Sequence, residues 1–255
     1  MGPLLFIMYT APLSKLISSY RHIKHQLYAD DTQVYVQLSP QNASTVIPEL
    51  KSCLYAIQTW MSNNKLKLNP DKTEFIILGS KTSRERLAHL FPINILGSDL
   101  NPTSKVRNLG VIFDADFSFT DQVNSIRKSC FYYIRDFSRI RRHLTKPTAI
   151  SLANALVSSR LDYCNSLLNH ISVKDLKRLQ GVQNTLCRIV CRLTRYTSTS
   201  LARQGLHWLP VKQRIQFKNY LITYKALRTG LPPYLNSALV PYACPSHSTR
   251  RSSPS

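Results

Sequence analysis

The segment His22–Leu38, HIKHQLYADDTQVYVQL, places two adjacent carboxylates between two stretches in which apolar and polar residues alternate. The alternation predicts one strand over His22–Tyr28 and a second over Thr32–Leu38, with Asp30 and Asp31 at the tip of a hairpin. Two neighbouring carboxylates repel each other unless a cation neutralises them. Because carboxylate oxygens suit Mg²⁺, the tip is a candidate metal site, and an ordinary solvated turn is the alternative.

Short strings before and after this hairpin form a series that is more specific than any single member. With the string Tyr28-Ala29-Asp30-Asp31, the series resembles the reverse transcriptase of non-LTR (LINE-type) retrotransposons. The other members are Gly2-Pro3-Leu4-Leu5-Phe6, Leu68-Asn69-Pro70-Asp71-Lys72-Thr73-Glu74, Arg107-Asn108-Leu109-Gly110-Val111, Ser159-Arg160-Leu161-Asp162-Tyr163-Cys164-Asn165 and Leu206-His207-Trp208-Leu209-Pro210.

The resemblance implies an RNA-directed DNA polymerase, a nucleotidyltransferase whose partners are an RNA template, a DNA primer and dNTP. Asp30 and Asp31 would be the catalytic ligands of Mg²⁺ (or Mn²⁺), with Asp30 as the main ligand. Tyr28 would pack beside the primer end. Lys72 would protonate the leaving pyrophosphate as a general acid. By itself Lys72 is more typical of a solvated turn lysine, and only the surrounding motif makes the two interpretations equal.

The resemblance also implies a primer-gripping turn at Leu109, Gly110 and Val111, where a glycine lets two backbones approach closely. A plain hairpin with a structural glycine is the alternative. Asp114 and Asp116 follow at alternate positions, and a solvated loop is preferred there over a second metal site.

The family completes its metal site with another Asp on an earlier strand, whereas no Asp or Glu precedes Asp30 in this sequence. We therefore expect a truncated, C-terminal part of the polymerase that lacks the first strand of the palm sheet and is inactive as an isolated chain. The alternative is a non-catalytic basic remnant that binds nucleic acid.

The positive charge is concentrated in the second half of the chain. The net charge is +21 over 255 residues, and residues 121–255 hold 22 Lys and Arg against 4 Asp and Glu. Such self-repulsion predicts a polyanionic partner, with nucleic acid ahead of an anionic membrane surface or histone-like nonspecific binding. No apolar run is long enough to span a membrane, and we expect no membrane partner.

Basic residues cluster late in one predicted helix and along the last one, where they alternate with Phe217, Tyr220 and Tyr224. This mixture suits a groove that follows phosphates and stacks bases. A core aromatic face backed by a solvated basic face is the alternative. The predicted nucleic-acid-binding residues are Arg135, Arg139, Arg141, Arg142, Lys212, Arg214, Lys218, Lys225 and Arg228.

The apolar periodicity predicts an α+β chain. Residues 1–116 would form the C-terminal half of a polymerase palm, an antiparallel sheet with helices on one face. Residues 117–246 would form a thumb-like, all-α basic region, and residues 247–255 a disordered tail. The predicted helices are Leu4–Tyr20, Asn42–Asn63, Thr120–Leu144, Pro147–Ser159, Val173–Leu193 and Pro210–Thr229, and the later strands are Thr73–Leu78, Ile93–Leu96 and Val106–Phe113.

Six scattered cysteines predict reduced thiols in an intracellular protein, and we expect it in the nucleus and cytoplasm. Cys187 and Cys191 lie one helical turn apart and could supply half a metal site. Core packing is the preferred interpretation, since no second pair or nearby His completes the site.

Overall fold

A hairpin at the acidic pair and two long helices form the first part of the fold in a computed structural model that describes residues 2–69, 72–95 and 98–240. These residues form two compact units that divide between Asp121 and Gln122. The combination of helices and antiparallel strands confirms the predicted α+β class. The predicted tail 247–255 and two residues of the predicted turn, Pro70 and Asp71, lie outside the described residues.

The first unit is built around the hairpin predicted at the acidic pair. Its strands pair antiparallel from Ile23 with Val36 to Tyr28 with Asp31. A shared core joins Leu13 and Ile17 of the first helix to Ile23 and to Leu50, Cys53 and Ile57 of the second helix. The elements are α1 (Gly2–Ser18), β1 (Ile23–Tyr28), β2 (Asp31–Val36) and α2 (Ala43–Asn63).

The later strands of this unit differ from the prediction. The predicted strand Thr73–Leu78 is wrong, since only an isolated bridge from Ile76 to Thr103 forms there. The predicted pairing of Ile93–Leu96 with Val106–Phe113 is also wrong, because Ile93–Ile95 pairs with Ser98–Leu100, and Lys105–Asn108 pairs with Val111–Asp114. Leu96 lies outside the described residues. The elements are α3 (Lys81–Leu87), β3 (Ile93–Ile95), β4 (Ser98–Leu100), β5 (Lys105–Asn108) and β6 (Val111–Asp114). The described strands thus form three separate two-stranded sheets.

The second unit is helical, as predicted. The apolar positions of its first helix recur every three or four residues and are buried, among them Val123, Cys130 and Phe137. The predicted helix Pro147–Ser159 begins after the N-cap Thr145 and passes through a π-helical turn over residues 154–158. The helices are α4 (Thr120–Ile140), α5 (Lys146–Ala153), α6 (Ser159–Asp162), α7 (Val173–Cys191), α8 (Ser200–Gly205), α9 (Val211–Thr229) and α10 (Pro233–Ala238).

Polar contacts of α7 and α6 fix the position of α9. The side-chain oxygen of Gln180 accepts a hydrogen bond from the backbone N–H of Val211 at 2.9 Å. The Gln183 amide donates to the carbonyl of Leu209 at 2.8 Å. Arg214 forms an ion pair with Asp162, and Gly230 ends α9 with a φ of 69°. The helix therefore starts and stops at defined points.

The cysteines are mostly part of the packing. All five in the described residues are free thiols. Burial raises the pKa of the Cys53, Cys130 and Cys187 thiols to about 11. The burial of Cys187 agrees with core packing at that position. None of the described helices is both long enough and apolar enough to cross a membrane.

Core packing within α4 predicts a large cost for truncating Phe137, which is 2% exposed. We expect Phe137→Ala to lower the free energy of unfolding by about 3–5 kcal/mol, because it removes buried contacts and leaves a cavity. Tyr132→Ala is the matched control, since Tyr132 is 58% exposed on the same helix. Urea unfolding followed by circular dichroism measures both, and equal losses would contradict the assigned inward face of α4.

Candidate functional site

The acidic pair lies at the end of the first hairpin, where Ala29 and Asp30 form a two-residue turn. Asp31 begins β2 opposite Tyr28, and the side chains of Tyr28, Asp30 and Asp31 are all exposed. Ala29 has a φ of 52°, a conformation that residues with a Cβ seldom adopt. The tight turn therefore exposes two adjacent carboxylates to solvent.

The base of this hairpin is tied to both flanking helices. The backbone N–H of His22 donates to the Glu49 carboxylate of α2 at 3.1 Å, and the His22 Nδ1 lies 2.5 Å from the other oxygen. These hydrogen bonds lower the pKa of the Glu49 carboxyl. Ser14 of α1 and the His25 Nε2 are 2.8 Å apart. These hydrogen bonds lie away from the tip of the hairpin and leave the Asp30 and Asp31 carboxylates exposed.

A second hairpin lies beside the first. Its turn residues Leu109 and Gly110 have φ values of 45° and 81°, the positive pair that a type I′ turn requires. Val111 follows and is buried. Across the two hairpins, the Gln33 side-chain amide donates to the Asn108 side-chain oxygen at 2.7 Å. The structure therefore brings the acidic hairpin and the predicted primer-gripping turn together.

The alternation along β2 explains this contact. Val34 and Val36 pack against the core of the first unit. Asp31 and Gln33 are two residues apart, so their side chains leave the opposite face of the strand. The face that carries the Asp31 carboxylate is thus the face that meets the second hairpin through Gln33.

Lys72 is exposed, and no ion pair joins it to Asp30 or Asp31 within the described residues. Asp114 accepts hydrogen bonds from the backbone N–H groups of Ser118 at 2.8 Å and Phe119 at 2.6 Å.

Asp116 also has a structural partner, since the Arg84 guanidinium lies 2.7 Å from its carboxylate. The same guanidinium donates to the carbonyl of Ala115 at 2.8 Å. Asp116 is exposed in the loop that leads into α4, as the preferred interpretation expected, and Asp114 ends β6 and binds backbone N–H groups of that loop. No local sequence pattern indicated Arg84 as the partner.

The acidic turn offers the type of ligand that a hard divalent cation requires, although not enough ligands. Asp30 and Asp31 offer carboxylate oxygens, which are the ligands that Mg²⁺ prefers. The described residues contain no group of three or more His, Cys, Asp or Glu that could hold a metal. Two carboxylates alone do not complete such a site, and we derive no metal-dependent step from these residues.

The predicted basic cluster at the end of α4 divides into exposed and buried members. Arg135 and Arg142 are exposed, and Arg139 pairs with Asp136 at 3.5 Å. Arg141 is only 7% exposed. Its guanidinium donates to the carbonyl of Val190 at 2.6 Å, near the end of α7, and to that of Leu144 at 2.9 Å.

Arg141 therefore serves to join the end of α4 to the end of α7. Burial lowers the pKa of its guanidinium, and the positive charge of Arg192 adds to the effect. A cation at a helix C-terminus interacts favourably with the carbonyls that have no partner inside that helix. We leave Arg141 out of the proposed nucleic-acid surface, because its donors are occupied by carbonyl groups.

The predicted basic residues of α9 are mostly exposed. Lys212, Lys225 and Arg228 face solvent, and Lys218 is half-buried. Arg214 differs, because its Nε donates to the Asp162 carboxylate at 2.8 Å. The aromatic residues between these cations are exposed too. The alternative of a core aromatic face on α9 is therefore wrong, and Val211, Ile215 and Ala226 supply its buried side.

Residues 1–113 match the family model described as reverse transcriptase (RNA-dependent DNA polymerase). The match spans somewhat less than half of the chain and includes the acidic turn and the turn at Leu109 and Gly110. This segment is therefore similar to the reverse-transcriptase domain. Neither the curated proteins nor the solved structures contain a match to the chain.

The turn geometry predicts a specific cost for adding a Cβ at Gly110. We expect Gly110→Ala to lower the free energy of unfolding by about 1–2 kcal/mol, because an L-residue is strained at positive φ. Gly181→Ala is the matched control, since Gly181 lies inside α7 and a Cβ there meets nothing within 4 Å.

The control variant is expected to raise the free energy of unfolding by up to about 1 kcal/mol, since alanine favours helix. Urea unfolding measures both substitutions. A Gly110→Ala variant as stable as the unmodified protein would contradict the two-residue turn.

Proposed function

We propose that this chain is part of the RNA-directed DNA polymerase of a non-LTR (LINE-type) retrotransposon, and that it binds an RNA template and a DNA primer. The observation that carries the proposal is the reverse-transcriptase match over residues 1–113. The contact between Gln33 and Asn108 supports it, because primer gripping and metal binding must act on the same primer end.

The non-LTR type is proposed from motifs in the second unit. Asp162, in the string Ser159–Asn165, holds Arg214 of α9. Trp208, in the string Leu206–Pro210, is buried, and the carbonyl of Leu209 accepts a hydrogen bond from Gln183 of α7. Both strings therefore occupy positions at which α9 is fastened to the rest of the unit.

In this proposal Asp30 and Asp31 are ligands of Mg²⁺ or Mn²⁺, Tyr28 and the turn Leu109–Val111 contact the primer, and Lys72 is a general acid. A bound metal would supply Lewis-acid stabilisation to phosphoryl transfer. The carboxylate pair needs a further ligand that the described residues do not place beside it. We therefore propose that the chain by itself binds nucleic acid and does not extend primers.

The charge distribution favours nucleic-acid binding as an activity of the isolated chain. Residues 121–255 carry a balance of +18, from 22 basic and 4 acidic residues. A surface of this kind displaces the counterions of a nucleic acid on binding. This second activity requires neither a metal nor the acidic turn, and it is the non-catalytic alternative to the polymerase.

Binding to an RNA–DNA hybrid is expected to weaken steeply as salt increases. We expect the triple variant Lys218→Gln, Lys225→Gln and Arg228→Gln to bind more weakly and to show a salt slope smaller by about 0.7–0.9 per charge lost. Fluorescence anisotropy over a salt series measures the slope. The matched control replaces Lys15, Lys65 and Arg86 of the first unit with Gln, since these exposed residues also form no ion pair within the described part of the chain, and a smaller effect is expected.

An affinity that does not change between low and moderate salt would contradict the proposed phosphate contacts. If the two triple variants weakened hybrid binding equally, the proposal that α9 supplies the phosphate contacts would be contradicted. Circular dichroism of each variant establishes that the helices are retained.

Primer extension on an RNA template with Mg²⁺ tests the catalytic part of the proposal. We expect no extension by the unmodified chain or by Asp30→Asn, because the described residues place no third ligand at the acidic turn. The two proteins are expected to bind the hybrid equally well. Asp136→Asn is the matched control, since Asp136 is exposed and pairs only with Arg139 among the described residues. Extension that disappears in Asp30→Asn but not in Asp136→Asn would show a complete metal site and overturn this part.

A further inference from the structure

The outward face of α9 carries large side chains that helices of folded proteins usually bury. Phe217, Tyr220 and Tyr224 are 58%, 69% and 64% exposed, and Leu227 extends the row. Successive members are three or four residues apart, so they lie one above another on one face of the helix. We call Phe217, Tyr220 and Tyr224 the aromatic stripe. It lies opposite the buried residues Val211, Ile215 and Ala226.

Cations lie along one side of the aromatic stripe. Lys218 and Lys225 each follow a stripe residue, which places them about 100° around the helix from it. Arg228 lies one turn beyond Tyr224. Together with Lys212, these cations form no ion pair within the described part of the chain, and α9 contains no acidic residue. The helix thus presents an aromatic row next to an uncompensated basic row.

We propose that the aromatic stripe of α9 is a stacking platform for single-stranded nucleic acid. Unpaired bases would stack on the three rings while Lys218, Lys225 and Arg228 contact the phosphates of the same strand. A duplex keeps its bases paired and stacked on each other, so its bases are not available to the rings. The inference rests on the proposed nucleic-acid binding, but it does not depend on polymerase activity.

A second copy of the chain is a poorer occupant of this face. Alternating three- and four-residue spacing is also typical of a coiled-coil seam. Here the spacing covers only about two heptads of a 19-residue helix, which is shorter than the three or four heptads of a sustained coiled coil. Pairing two copies would also bring together two helices that each carry five basic and no acidic residues. A polyanion reduces that repulsion, whereas a second copy increases it.

The platform is held in place before any ligand arrives. Gln180 bonds the first residue of α9, and Asp162 pairs with Arg214 one turn later. Surfaces that are already ordered lose less conformational entropy on binding. The stripe can therefore contribute its stacking energy with little ordering of the helix.

The test compares binding of the full chain to a fluorescein-labelled single-stranded RNA of about 12 nucleotides and to the corresponding duplex, by anisotropy. We expect the double variant Tyr220→Leu and Tyr224→Leu to bind the single strand at least about tenfold more weakly, because two stacked bases lose their aromatic partners. Duplex binding is expected to stay unchanged, since leucine preserves the charge and the helix.

Two matched variants separate stacking from structure. Tyr55→Leu makes the same chemical change at an exposed tyrosine of α2 and is expected to leave both affinities unchanged. Tyr220→Phe with Tyr224→Phe keeps the rings and is expected to retain the preference for the single strand.

Other outcomes overturn the inference in distinguishable ways. Unchanged single-strand binding by the leucine variant, or equal losses for both nucleic acids, would show that the rings do not stack bases while the proposed function stands. A dimer in analytical ultracentrifugation that disappears in the leucine variant would assign the face to a second copy. An unmodified chain that binds neither RNA would overturn the proposed function together with the inference.

Discussion

The candidate site depends on the burial of one face of the β1–β2 hairpin. Val34 and Val36 pack against the core formed by α1 and α2. Since side chains alternate across a strand, this leaves Asp31 and Gln33 on the opposite face. A slip of one residue in register would bury polar groups and expose the valines, so the core specifies the position of the acidic turn. The contact between Gln33 and Asn108 then follows from the same register.

A different constraint governs the second unit, where few acidic residues are available. Asp136, Asp162 and Asp175 each pair with an arginine of the same unit. One of these pairs joins two helices, since Asp162 of α6 binds Arg214 of α9, whereas the pairs of Asp136 with Arg139 and of Asp175 with Arg178 each lie within a single helix. Among the described residues, Arg135, Arg142, Lys212, Lys225 and Arg228 are exposed and form no ion pair. Charge that the fold does not compensate internally is available to a polyanion.

Periodicity was enough to predict the hairpin at the acidic pair and the long helices, because each buries one regularly spaced apolar face. It failed for Thr73–Leu78, where an apolar run makes only a single bridge, since strand formation depends on a partner that no local pattern names. The turn at Leu109 and Gly110 was predicted from the family resemblance. The sequence does not contain the Asn-Gly or Asp-Gly signal that usually predicts such turns.

The candidate site could be predicted only in part. The resemblance indicated the acidic turn and the second hairpin, but their contact through Gln33 and Asn108 joins residues far apart in the chain. The burial of Arg141 could not be predicted from the sequence either, because it depends on the position of the Val190 carbonyl. The exposure of the α9 aromatics could not be decided from their spacing, which is the same for a core face and for a surface stripe.

Paramagnetic broadening by Mn²⁺ in a two-dimensional amide spectrum is the most direct test of the central claim, that the two hairpins form one site with an incomplete ligand set. We expect weak, non-stoichiometric binding that broadens the amide signals of Asp30 and Asp31 and also that of Gly110. Stoichiometric tight binding would contradict the incomplete ligand set. Broadening of Asp30 and Asp31 without Gly110 would contradict the juxtaposition of the hairpins.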